Sequence, residues 1–243
     1  MKVAMISKLA ASARVKFGLS LTEPVDVTKV LMKSRISRLK RPLQGAISGL
    51  FLRADSTKVI LINSARSLGH QNFTMAHELY HALYDESTES KVCTAGKWDT
   101  KNKAERIADD FASHFLMPEA GIFENLTLRG ALNSPEINDI IYLEQLYNVS
   151  HAAMLYRLST LRLISKNQAE DLKHGIKALA RQLGYPLDLY EPTFEEVVIS
   201  DYAEKAKIAY DKGLITSSRY RELLAEINIS MPDSYVEDAE HAD

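Results

Sequence analysis

Two histidines four residues apart, with a glutamate beside the first, stand in the run Phe73-Thr74-Met75-Ala76-His77-Glu78-Leu79-Tyr80-His81. On a helix, positions i and i+4 lie one turn apart on the same face, so the two imidazoles can grip a single metal ion. Glu78, next to them, is placed to take a proton from water acidified by that ion. Such a set performs hydrolysis. The plainer alternative is a pair of surface or core histidines on an amphipathic helix, with no metal between them.

A catalytic zinc takes three protein ligands and keeps one position for water, so two histidines are not enough. Glu105, 24 residues beyond His81 in Ala104-Glu105-Arg106-Ile107-Ala108-Asp109, is the best third donor, and Asp109 lies one turn further along its face. There Asp109 can accept the second N–H of His77 or His81 and fix the orientation of that ring. Each assignment has a rival. Asn102-Lys103-Ala104-Glu105 spells a capping box, in which Glu105 turns back to the Asn102 amide, whereas a helix starting near Asp99 or Thr100 leaves Glu105 inside it and facing the ion. Asp109 competes with Asp110, or is a solvated or ion-paired aspartate. Cys93 lies between the two helices, where a thiolate would block or complete the site, or where it is only a reduced thiol.

The elements that position these residues follow from periodicity. Helices are expected over Val3 to Phe17, after Pro24-Val25-Asp26 with Asp26 as cap, over Asn72 to Tyr84, and over Thr100 to Leu116 with a core stripe of Ala104, Ile107, Ala108, Phe111 and Phe115. Two β-rich runs, Gly45 to Arg53 and Thr57 to Asn63, flank Ala54-Asp55-Ser56 as a hairpin or neighbouring strands. Asp85 to Thr100 reads as a polar loop. Further helices are expected at Glu136 to Tyr147, Ser150 to Leu161 and Lys166 to Leu183, then a linker from Gly184 to Pro192 and a helical stretch from Phe194 to Ile229. The expected fold class is α+β: a mostly helical domain over 1–165 with a small β-sheet, a helical C-terminal region over 166–232, and a flexible acidic tail over 233–243.

With 243 residues, 46% of them apolar, 26% charged and a net charge of -2, the chain has the composition of a globular protein, not a disordered or membrane-spanning one. Residues 1 to 54 carry eleven Lys and Arg against only Glu23 and Asp26. One cysteine excludes an internal disulfide, and Lys8 interrupts the apolar stretch at the start, so a cytoplasmic protein with no membrane association is expected.

The run Phe73 to His81, followed by Glu105-Arg106-Ile107-Ala108-Asp109-Asp110-Phe111-Ala112 and Phe115-Leu116-Met117-Pro118, resembles the ImmA/IrrE family of metallo-endopeptidases. Pro24-Val25-Asp26, Ile62-Asn63, Asn148-Val149-Ser150 and Leu155-Tyr156-Arg157-Leu158 extend the resemblance over residues 20–165. It implies a zincin-like domain, Zn2+ held by His77, His81 and Glu105, and Glu78 as general base. It also implies a protein substrate, typically a helix-turn-helix repressor or antitoxin encoded beside the protease, whose cleavage relieves repression. The family usually has glycine where this chain has Tyr80, so a ring either packs elsewhere or narrows the cleft.

Beside zinc, a further donor to the oxyanion is expected from Tyr156, His151 or His114. An extended substrate is expected to align beside the strand at Lys58 to Ile62. The rival reading is a zinc-stabilised regulator, without enzymatic activity, that binds a repressor or DNA. Its DNA-reading elements would be the basic run Lys29 to Arg41, or the helix-turn-helix cadence of Glu144 to Ser150 with the helix after it. Direct DNA contact is not expected, because that helix is largely apolar and the basic run lacks interleaved aromatics.

Overall fold

The computed structural model describes residues 3–54, 57–85, 90–96, 102–227 and 229. They fall into two compact units divided between Val197 and Val198, so residues 166–197, grouped by sequence with the C-terminal region, cluster with the first unit. The expected tail over 233–243 lies outside the described residues.

The first unit opens with α1 (Val3–Lys16), whose Ile6, Ala10 and Ala13 are buried at helical spacing. Arg14 of this helix is buried as well and donates to the carbonyls of Ser20, Glu23 and Phe115. In α2 (Val27–Lys33), Asp26 is the N-cap and accepts from the Lys29 amide, satisfying one of the unpaired donors of the first turn. The chain continues through β1 (Ile36–Arg41), β2 (Gly49–Ala54), β3 (Thr57–Asn63), α3 (Leu68–Tyr84), β4 (Ser90–Cys93) and α4 (Lys103–Leu116).

These strands build one mixed sheet in the order β4-β2-β3-β1-β5, the last being the short β5 (Val197–Ile199). β2 and β3 form the expected antiparallel pair, β1 runs parallel to β3, and β4 runs antiparallel to β2. Three of these strands fall outside the expected strand runs: β1, β4 and β5, the last within the stretch from Phe194 to Ile229 that was expected to be helical. In β1 the inward positions are Ile36, Arg38 and Lys40, so charges occupy the face where alternation leads one to expect apolar side chains. Arg38 donates from Nη1 to Thr28 Oγ1 at 2.6 Å, and Lys40 from Nζ to Glu195 Oε2 at 2.9 Å. The basic run Lys29 to Arg41 is thus divided between a helix and a strand that buries Arg38 and Lys40. β4 lies within the stretch read as a polar loop.

The first unit ends in short helices: α5 (Glu119–Leu128), α6 (Ile137–Tyr147), α7 (His151–Thr160), α8 (Lys166–Asp171) and α9 (Ile176–Gln182). The single helix expected over Lys166 to Leu183 is two: α8 ends at its C-cap Leu172, and Gly175, with a φ of 80° that favours glycine, is the N-cap from which α9 starts. The stretch expected as a linker is docked instead. Leu189 and Tyr190 are buried in the 3-10 turn Asp188–Tyr190, and the Glu191 carbonyl accepts the Leu68 amide at the start of α3. In the second unit, α10 (Tyr202–Asp211) and α11 (Ser217–Glu226) pack through Ala206, Tyr220 and Leu224, with Tyr210 stacked on Tyr220 at 5.1 Å. The chain is therefore α+β, with one small sheet and a helical C-terminal part. No described helix is long and apolar enough to cross a membrane.

Candidate metal centre

The helix α3 is buried on all sides from Phe73 to Ala82, packed against the sheet on one flank and α4 on the other. A polar side chain there is desolvated and must find its partners inside the protein. His77, Glu78 and His81 are all fully buried on it. From α4, Ala108, Phe111, Ala112 and Phe115 enter the core, and Asp109 is buried beside them. Asn102 is the N-cap of α4, and its side chain accepts from the amides of Ala104 and Glu105. The helix thus begins at the cap that the capping box requires, while the Glu105 carboxylate still reaches the histidines.

The Nε2 atoms of His77 and His81 lie 3.3 Å apart. Glu105 places Oε2 3.4 Å from Nε2 of His77 and Oε1 3.4 Å from Nε2 of His81. Three donors at tetrahedral angles around one zinc, with bonds of about 2.0–2.1 Å, sit roughly 3.3–3.4 Å from each other. The two nitrogens have that separation, and the Glu105 carboxylate offers each of them one oxygen at it. Cys93, 0% exposed, adds a fourth ligand atom, and the four lie within 4.8 Å of one another.

The other nitrogen of each ring is engaged by a carboxylate. His77 Nδ1 is 2.7 Å from Asp109 Oδ1, an oxygen that also accepts the Gly96 amide at 3.0 Å. His81 Nδ1 is 3.1 Å from Asp85 Oδ2. With Nδ1–H donating outward, both Nε2 lone pairs point into the cluster, the tautomer that a metal ligand needs. Burial opposes a charge on His77, but its hydrogen bonds with Asp109, Cys93 and Glu105 and the neighbouring Glu78 carboxylate outweigh it and hold its pKa well above the ordinary value. A cluster that pulls so hard on a proton is one that a divalent cation neutralises better. These residues fit a metal ion.

Glu78 lies beside this set. Its Oε2 is 3.5 Å from Cys93 Sγ, and its Oε1 has no hydrogen-bond partner among the described residues. Burial raises its pKa, as it does that of the Cys93 thiol, pushed up to about 12. Gly49 of β2 passes directly over it. A Cβ built there would stand 2.7 Å from Thr74 Cγ2, 2.9 Å from Glu78 Oε1 and 3.1 Å from the Leu61 carbonyl.

Sequence reasoning missed Asp85, Gly49 and Gly96. The first has a readable signal, an acidic residue at i+4 from His81. The glycines give none, because the close approach that needs them is between elements distant in sequence. Tyr80 packs into an aromatic group, its ring centroid 5.5 Å from His81, 5.6 Å from Phe111 and 5.9 Å from Tyr84. The three residues considered for the oxyanion are engaged with other groups. Tyr156 donates to Asp110 at 3.2 Å, His151 pairs with Glu144 at 2.6 Å, and His114 is 3.4 Å from Arg157. The strand expected to receive substrate, Lys58 to Ile62, is paired on both sides by β1 and β2 and has no edge to give; among the described residues the edge on this side of the sheet is β4. In the helix-turn-helix-like segment, α7 buries His151, Ala153, Met154, Leu155, Arg157 and Leu158, so its face is spent on packing.

Among curated proteins, none matches this chain. Among protein families, the IrrE N-terminal-like domain matches residues 35–159, just over half of its length. That span contains α3, β4 and α4, the elements that supply every residue of the cluster. By that match the chain belongs to the IrrE N-terminal-like family of metallopeptidases.

Proposed function

We propose that this chain is a cytoplasmic, zinc-dependent endopeptidase of narrow specificity. The observation that carries the reading is the convergence of His77, His81 and Glu105 at 3.3–3.4 Å, with a fully buried Glu78 alongside. In this reading His77, His81 and Glu105 hold the ion, while Asp109 and Asp85 orient the two rings. When bound, zinc supplies Lewis acidity, acidifying water and polarising the scissile carbonyl. Glu78 takes the water's proton at Oε2 and returns it to the leaving amine, a role that suits a carboxylate whose pKa burial has raised. An extended peptide adds to the edge of β4, the strand that ends at the cluster, through main-chain hydrogen bonds. Tyr156 donates to the oxyanion only by exchanging Asp110 for the substrate. The proposed substrate, a helix-turn-helix repressor or antitoxin, rests on the family resemblance in the sequence.

A second reading, a zinc-stabilised regulator that cleaves nothing, draws support from Cys93, because a structural zinc closes its fourth position with protein. Two variants separate the readings. We expect Glu78→Gln to retain its metal and lose cleavage of a repressor encoded beside this chain by about 10²–10⁴-fold. Glu105→Gln and His77→Ala are expected to lose the metal itself, measured by elemental analysis. Undiminished repressor loss with Glu78→Gln supports the regulator, and zinc content that His77→Ala does not reduce overturns the site.

A further inference from the structure

We infer that Cys93 is the fourth ligand of the ion held by His77, His81 and Glu105, so that the resting site is closed and water enters only when this thiolate is displaced. The inference rests on the metal reading above and adds to it a built-in latency.

The donor geometry comes first. At tetrahedral angles, a Zn–S bond of about 2.3 Å and a Zn–N bond of about 2.0–2.1 Å place sulfur roughly 3.6 Å from each nitrogen. Sγ lies within 4.8 Å of each of the other three ligand atoms, so a small movement of this one side chain brings it onto the ion. Thiolate is also the strongest zinc ligand among these side chains, and a thiol in contact with the ion is deprotonated outright.

Glu78 supplies an independent reason. It is fully buried, its Oε1 has no hydrogen-bond partner among the described residues, and its Oε2 faces Cys93 Sγ at 3.5 Å. A general base needs its substrate water within hydrogen-bond reach, and the sulfur stands where that water's O–H has to be. A permanently four-coordinate structural site has no use for such a carboxylate, which is costly to bury. Together, the closed ligand set and the retained base describe a peptidase at rest.

The strand explains how the thiol is both aimed and released. Cys93 is the last residue of β4, opposite Gly49, and its carbonyl accepts the Ser48 amide at 3.0 Å. Because strand side chains alternate, Val92 is 60% exposed and Cys93 is turned fully inward. Among the described residues β4 is an edge strand, so a peptide that pairs with it engages the same short segment whose last side chain closes the site. The exchange transfers no electrons. The thiolate leaves the ion, takes a proton from solvent, and water occupies the vacated position.

Cobalt(II) loaded in place of zinc tests this with spectroscopy. The wild-type chain is expected to show sulfur-to-cobalt charge-transfer absorption, and its single cysteine to react with a thiol reagent at least about tenfold more slowly when loaded than after chelation. Cys93→Ser and Cys93→Ala should keep cobalt and lose the absorption, and Cys93→Ala should cleave the repressor encoded beside this chain faster than wild type. Both wild-type readouts are independent of how the variants fold. Full, His77-dependent cobalt occupancy with no such absorption and unchanged thiol reactivity overturns the inference and leaves the metal site standing. Cobalt binding indifferent to His77→Ala overturns the metal reading, and this inference with it. Absorption that is present while Cys93→Ala gains no activity overturns the latency.

Discussion

His77 Nδ1 and Asp109 Oδ1 lie 2.7 Å apart across the contact between α3 and α4, and the Gly96 amide holds the same carboxylate oxygen at 3.0 Å. His81 has the weaker counterpart, Asp85, at 3.1 Å on its own helix. The Asp109 side chain is 2% exposed and that of Asp85 is 15% exposed, so water can substitute only for the second. We expect Asp109→Ala to lower metal affinity by about 10–100-fold, and Asp85→Ala by less. Competition with a chromophoric chelator measures both. Equal losses would remove the distinction drawn here between a bridging carboxylate and a local one.

Gly49 sets the approach of β2 to Glu78. Two of the three atoms that an added Cβ would meet, Glu78 Oε1 and Thr74 Cγ2, belong to α3, and the third is the Leu61 carbonyl of the paired strand, which cannot move without breaking the sheet. Gly49→Ala is therefore expected to cost about 1–3 kcal/mol of stability by overpacking. It should also lower kcat while metal content stays near wild type, since the atoms it would meet belong to none of His77, His81, Cys93 and Glu105. Urea denaturation and metal analysis on the same preparation check the two halves. A variant of native stability and full activity would show that the strand yields.

Tyr80 stands where the resembled family usually carries glycine, and its ring joins α3 to Phe111 of α4. Removing the ring as Tyr80→Gly is expected to cost about 3–5 kcal/mol for the lost burial and about 1 kcal/mol more for glycine inside a helix. Denaturation of the metal-free protein is the measurement. A loss below about 1 kcal/mol would mean that the ring fills no space that matters.

Acid sensitivity follows from His114. Burial, and then the positive charge of Arg157, lower its pKa from 6.5 to about 4. Between those values the unfolded chain binds the proton and the folded chain does not, so the contribution is complete above pH 6.5 and is lost as pH falls toward 4. Discounted for partial exposure, the loss is on the order of 1–3 kcal/mol. His114→Gln should flatten the fall in stability between pH 7 and pH 5, compared with wild type in chelator so that the metal ligands titrate alike in both. A slope unchanged by the substitution would contradict it.

How much of this was legible depended on how far apart along the chain the cooperating residues lie. The strand pair β2 and β3 and the cap at Asp26 are written within a few residues each, and local pattern identifies them; α4 was expected from Thr100, and the structure instead starts it at the rival cap, Asn102, without turning the Glu105 carboxylate from the histidines. β1 was not legible because its inward face carries Arg38 and Lys40, whose partners Thr28 and Glu195 rescue what periodicity rejects. β4 was hidden by its length of four residues and its polar surroundings. The docking of Leu189 and Tyr190 was hidden by the prolines and glycine around them.

By itself, the sequence determined that His77, Glu78 and His81 share one turn of one helix, because the pitch of a helix is fixed and spacing of four is spacing on a face. It also nominated Glu105 and Asp109, which share a second such face. Only the tertiary structure decided that these faces meet at 3.4 Å, that Cys93 enters the same cluster, that Gly49 lies over Glu78, and that β3 is interior while β4 is the edge. Those relations join segments separated by many residues. They are settled by how helices and strands pack around a shared core, a balance summed over the whole chain that no window along it contains.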